Sequence, residues 1–207
     1  MDLSTQYMGM SLRNPLIVSS SGITQSVDGV VRCADAGAGA VVLKSVFEES
    51  ILAEAQNVID KSLFPSGYPE GREYVERYSQ EDAFASYLKL IRDAKRAVSI
   101  PVIGSVHCVS ASGWTEYAHR LQEVGADALE LNIFVLPMDS KRDPRSYEQF
   151  YFEVADAVRR QVSIPVALKI GSYFSGLART AVELSQRVSA LVLFNRYYRF
   201  DIDPEAM

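Results

Sequence analysis

Short apolar runs that close on a polar residue recur along the chain. Gly125 to Pro137 reads GADALELNIFVLP, Gly37 to Ser45 reads GAGAVVLKS, and Val188 to Arg196 carries a weaker copy, VSALVLFNR. Each has the form of a helix end, a short buried strand and a polar exit. In parallel α/β proteins the working residues sit just beyond the carboxyl ends of the strands. The pattern therefore predicts that Lys44, Asn132 and Asn195 are delivered to one mouth of one sheet.

Extending the same reading gives a sequence of strands and helices. Residues 3 to 18 alternate around Gly9 and predict a small hairpin. Core strands follow at Leu16–Ser19, Ala40–Lys44, Val102–Ser105, Ala128–Ile133, Val166–Ile170 and Leu191–Phe194. Helices are expected at Val27–Ala36, at Glu81–Ala97 on the spacing of Phe84, Leu88, Ile91 and Ala94, and at Trp114–Val124 and Tyr147–Gln161. The string VSIPV introduces a strand twice, at Val98 and at Val162. The recurrences keep no fixed period, so they are repeated local solutions rather than a solenoid. Buried strands alternating with amphipathic helices fit an eight-fold barrel or a doubly wound sheet. No GxGxxG follows a strand, which removes the best support for a dinucleotide fold.

One stretch breaks the pattern. Between Val46 and Gln80, Pro65, Gly67, Pro69 and Gly71 interrupt any period, and Tyr68, Tyr74 and Tyr78 stud it. Connections that long in a compact domain are usually functional. Residues 46–80 read as an insertion or lid over the mouth, with a disordered excursion as the alternative.

Composition narrows the class. A chain of 207 residues with 48% hydrophobic content can bury one substantial core, most economically as a single domain. A net charge of -5 and a pI near 5.1 argue against nucleic acid as a partner. The run Arg92 to Arg96 reads as the solvated face of a helix. Cys33 and Cys108 form no CxxC and no ligand cluster with His107 or His119, so neither a disulfide framework nor a metal site is expected. Cys33 reads as a small core residue. The apolar run Pro15 to Val18 is too short for a signal segment or a membrane span, and a cytoplasmic location with no membrane contact is expected.

Taken together, NPLIVSSSG, AGAGAVVLKS, SIPVIGS, ADALELN, SIPVALKI and LVLFNR resemble the dihydroorotate dehydrogenase family of FMN-dependent TIM (β/α)8 barrels. The likeness spans nearly the whole chain and is nearest to a subgroup lacking the usual catalytic base. It implies an α/β barrel, FMN as cofactor, a dihydropyrimidine-like small-molecule substrate and, by analogy, a homodimer. By the resemblance, Lys169 stands where a lysine faces the flavin N1 edge. Lys44 lies beside flavin and substrate, Ser19, Ser20 and Ser21 lie against the isoalloxazine ring, and Asn132 and Asn195 hold the substrate.

Two departures qualify what the resemblance implies. The family's base, a cysteine or serine in the loop after strand four, falls on Val135, which can move no proton. Leu136, Pro137 and Met138 occupy the place of a further asparagine. A substitute base is sought among Cys108, Ser110, Ser112 and Tyr173, while His107 and His119 look weak for the role. Secondly, eight βα units need about 250 residues, whereas about six are present here, so a C-terminally incomplete barrel is expected. The resulting readings are an FMN-dependent oxidoreductase acting on a CH–CH donor, a flavin- or ligand-binding barrel without turnover, and a flavin-free lyase forming a Schiff base on Lys169.

Overall fold

Two antiparallel strands, β1 (Thr5–Tyr7) and β2 (Met10–Leu12), form the expected hairpin. The computed structural model describes residues 1–61 and 84–195. After the hairpin come β3 (Ile17–Val18), α1 (Val27–Asp35), β4 (Ala40–Val42), β5 (Val46–Phe47), α2 (Glu48–Lys61) and α3 (84–97). Then follow β6 (Val102–His107), α4 (Ala111–Glu123), β7 (Ala128–Asn132), α5 (Pro144–Gln161), β8 (Val166–Ile170), α6 (Leu177–Ser185) and β9 (Ala190–Leu193).

Strands β3, β4, β6, β7, β8 and β9 lie side by side in that order, each parallel to the next. The short β5 pairs with the carboxyl end of β6. Neighbours in space are neighbours in sequence, with helical crossovers between them, as in a barrel wall; a doubly wound sheet reverses its order part-way. The sheet is a curled, partial barrel.

The recurring glycine phrase has a local cause. Gly37 and Gly125 take φ of +97° and +93° just past α1 and α4. In each case the glycine N–H bonds back to the second-last helical carbonyl, Ala34 or Gln122, and the next alanine N–H bonds to Cys33 or Leu121. This left-handed stop turns the chain directly into a buried strand. At the weaker third copy, Arg187 and Val188 both donate to the Leu184 carbonyl, and no left-handed residue is used.

Other element boundaries move for similar reasons. Helix α4 begins earlier than its apolar spacing predicts because Ser110 caps it, accepting from the Gly113 N–H. Within the stretch 46–80, residues 46–61 are regular, forming β5 and α2. The prolines and glycines that interrupt the sequence pattern all follow Lys61, and residues 62–80, on which the lid reading depends, lie outside the described residues.

Strand alternation gives the sheet two chemically different faces. Val41, Val102, Leu129, Leu131, Val166, Leu168 and Ile170 point to the helices and join one core with Ile91, Trp114, Leu121 and Val158. Val42, Ile103, Ala128 and Ala167 point the other way, into the curl, where Met8 of the hairpin packs against them. The hairpin thus covers the lower part of the concave face and leaves the carboxyl ends of the strands for the site.

Candidate functional site

Above that apolar floor the concave face turns polar. Going up each strand by two, Ile103 gives way to Ser105 and His107, Ala128 to Glu130 and Asn132, and Ala167 to Lys169. At the strand ends these residues open onto a cavity of about 620 Å³. Ser19 to Gly22, Lys44, Ser45, Phe47, His107, Asn132, Phe134, Lys169, Val192, Phe194 and Asn195 line it. The three predicted strand exits do meet at one mouth, and Asn195 Nδ2 donates to Asn132 Oδ1 at 2.6 Å.

Below the mouth lies a buried ion pair. Glu130 and Lys169 expose only 3% and 8% of their surface, and Lys169 Nζ stands 3.5 Å from Glu130 Oε1. Ser105 Oγ donates to the same oxygen at 3.2 Å. Burial raises the Glu130 carboxyl above its ordinary range, while Lys169 and the Ser105 hydroxyl pull it back. A chain of hydroxyls runs from this pair to the rim: Ser105 Oγ is 2.7 Å from Ser45 Oγ, which is 3.0 Å from Ser20 Oγ. Ser105 is also fixed through its backbone. Its N–H donates to the Tyr87 hydroxyl at 3.0 Å, and that hydroxyl donates to its carbonyl at 3.1 Å.

Glu48 organises the side of the mouth nearest β6. At the start of α2 it accepts from the backbone N–H groups of Val109 and Ser110 and from the Ser110 hydroxyl. Burial alone would raise its carboxyl, but these bonds and the nearby His107 prevail, and it lies below the ordinary value of 4.5. A depressed acid adds stability that is complete above the unfolded value and fades as pH falls through the folded one. Glu48→Ala should therefore lose about 1–3 kcal/mol at neutral pH. In urea unfolding, the gap from the parent should close on acidification below pH 4.5; a gap independent of pH would contradict this role for the carboxylate.

The sequence-predicted site residues divide. Ser19, Ser20, Ser21, Lys44, Asn132, Lys169 and Asn195 all line the cavity. The two lysines differ: Lys169 is buried and ion-paired, whereas Lys44 is exposed and donates to Gln25 Oε1 at 3.2 Å. Ser21 stands at the start of a short 3₁₀ turn, Gly22–Gln25.

The candidates for a substitute base are placed elsewhere. Cys108 is buried and off the cavity wall, its thiol pushed up by burial and by the charge of Glu48. Ser110 is committed to Glu48 and the α4 cap, and neither Ser112 nor Tyr173 lines the cavity. Val135 donates its N–H to the Tyr151 hydroxyl at 3.1 Å, and its side chain packs against the helix-side core. His119 is exposed beside Glu123, 3.5 Å away.

Two residues were passed over in the sequence. His107, set aside as weak, lines the cavity, with Nδ1 2.6 Å from the Asn132 carbonyl oxygen. Glu130 sits in mid-strand in ALELN; a carboxylate inside an otherwise apolar buried strand was the signal for it. Among the described residues no cluster of His, Cys, Asp or Glu could hold a metal ion, and no helix is long and apolar enough to cross a membrane.

No family model matches the chain. Curated proteins do. Over 216 residues it is 29% identical to the catalytic subunit of dihydroorotate dehydrogenase B (NAD(+)) of Thermoplasma acidophilum, covering 99% of this chain and 66% of that protein. The chain is dihydroorotate dehydrogenase-like in sequence. It is also 23% identical over 187 residues to the NAD-dependent dihydropyrimidine dehydrogenase subunit PreA of Escherichia coli K12, covering 87% of this chain and 44% of that one. It thus spans about two thirds or less of these curated relatives. Among solved structures, a protein described as a dihydrodipicolinate synthetase of Pseudomonas aeruginosa aligns with a TM-score of 0.48 at 14% identity, over 84% of this chain and 52% of that one.

Proposed function

We propose that the dihydroorotate dehydrogenase-like chain is the flavin- and substrate-holding part of an oxidoreductase that takes a hydride from a dihydropyrimidine-like ring. The observation that carries the reading is the convergence of buried Lys169, the paired amides of Asn132 and Asn195, and the Ser19 to Ser21 rim on one cavity. Its volume lies within the range of about 300–1,000 Å³ usual for small-molecule sites.

These residues fit a flavin. Lys169 is a fixed cation in a buried setting, and Phe134 and Phe194 give the wall apolar surface. FMN bound there would supply a two-electron hydride acceptor, whose reduced form a cation near N1 stabilises. Lys169 and the Ser19 to Ser21 loop would hold that ring, with Lys44 at the outer edge.

The remaining work falls to the protein's own groups. Glu130 keeps the Lys169 ammonium in place at 3.5 Å. Beyond the bond they make to each other, Asn132 and Asn195 keep amide donors and acceptors of the kind that pair with a cyclic imide or amide. The same contact weighs against the Schiff-base reading, because it engages the Lys169 Nζ with Glu130 rather than leaving it free to attack a carbonyl.

Val135 favours a second reading, binding without turnover, since its place in the core offers no proton acceptor. The full chain mixed with FMN should stay yellow through gel filtration and be bleached by dithionite. Colourless protein would sink the flavin reading. Yellow protein that dihydroorotate and dihydrouracil leave unbleached would favour the binding-only alternative.

A further inference from the structure

Val135 supplies the cavity with no base, yet the cavity wall holds a histidine whose Nδ1 is tied to a backbone carbonyl. His107 ends β6, next to Asn132 at the end of β7. Its Nδ1 lies 2.6 Å from the Asn132 carbonyl oxygen. A peptide carbonyl can only accept, so Nδ1 carries the proton of that bond, and the neutral ring keeps its lone pair on Nε2. The ring cannot easily turn away. Phe47 stacks on it at a tilt, with centroids 5.2 Å apart, and Trp114 meets it edge-on at 6.1 Å.

The other ionisable side chains on the described cavity wall are Lys44 and Lys169. Lys169 is tied to Glu130 and Lys44 to Gln25. Nearby, Glu48 is held by Val109 and Ser110 close enough to interact with the charge of His107. A carboxylate so placed offers an imidazolium an opposite charge.

We infer that His107 is the proton acceptor of this cavity, filling the role that Val135 cannot. The inference rests on the oxidoreductase reading above. In that reaction a substrate C–H proton bonds to Nε2 while the adjacent carbon's hydrogen leaves with its electron pair to the oxidised flavin. The C–C single bond becomes a double bond, and the imidazolium then returns its proton to water. The arrangement follows the general rule for a histidine base: a second group holds Nδ1–H so that Nε2 faces the chemistry as a lone pair.

The test uses the full chain loaded with FMN and two variants, His107→Asn and His107→Gln. Asparagine can still donate an amide N–H to the Asn132 carbonyl, so the wall is preserved while the base is lost. FMN affinity and the spectral perturbation produced by orotate should stay within about 3-fold of the parent. The rate of flavin bleaching after rapid mixing with dihydroorotate or dihydrouracil should fall about 100-fold or more. In ¹⁵N spectra of the parent, neutral His107 should be the Nδ1–H tautomer.

Bleaching at the parent rate in both variants, with FMN binding intact, would overturn this inference alone. An Nε2–H tautomer would overturn it too, as would a parent that binds FMN but is bleached by neither substrate. Failure of the parent to take up FMN would remove the oxidoreductase reading and this inference together.

Discussion

Glu130→Ala should destabilise the protein by about 3–5 kcal/mol, the loss expected when one member of a buried ion pair is removed and the other is left without a partner. Lys169 would then remain 8% exposed, with its carboxylate gone and the Ser105 hydroxyl without its acceptor. Glu130→Gln should cost less, because the amide resembles the protonated acid that burial already favours. The sign follows from the raised carboxyl. Its own contribution is complete below the ordinary value of 4.5 and declines as pH rises towards the higher folded value. Urea unfolding of parent and Gln variant should therefore converge at low pH. The double variant Glu130→Leu/Lys169→Met should recover most of the loss, since well-packed apolar groups can replace a buried pair. A loss below about 1 kcal/mol in Glu130→Ala would mean that the pair is not energetically coupled.

On the proposed flavin reading, Lys169→Met should weaken FMN binding by about 10- to 100-fold, equivalent to one charge-assisted interaction of about 1.5–3 kcal/mol. The side chain stands on the cavity wall at the end of β8, in register with Asn132 of β7. Quenching of FMN fluorescence on titration with protein measures the change directly. Pairing the change with Glu130→Gln separates binding from folding: Glu130→Gln/Lys169→Met should be as stable as Glu130→Gln and still bind FMN weakly. Unchanged affinity in folded Lys169→Met protein would remove this lysine from the flavin's surroundings.

Much of the frame was legible in local pattern. The phrase around Gly37 and Gly125 works because glycine alone readily takes the left-handed turn that ends α1 and α4. Strand ends at Lys44, Asn132, Lys169 and Asn195 were readable because each polar residue interrupts or closes a short apolar run. Where the signal was chemical rather than periodic, the reading failed. His107 looked like a polar residue at a strand terminus, and Cys108 beside it looked the more reactive. Alternation decides between them: His107 falls on the concave face with Ser105, and Cys108 falls in the helix-side core.

The amino-acid sequence by itself determined the parallel α/β class, the succession of strands along the chain and most of the polar residues that close them, because these depend on apolar runs and on turn chemistry within a few positions. Only the tertiary structure decided which of those residues act on one another. Glu130 meets Lys169, Asn195 meets Asn132, and Glu48 reaches Ser110 across stretches of chain that share no local signal. The curl of the sheet sets those partners side by side, and burial then makes each unpaired charge costly enough that the partners must be found.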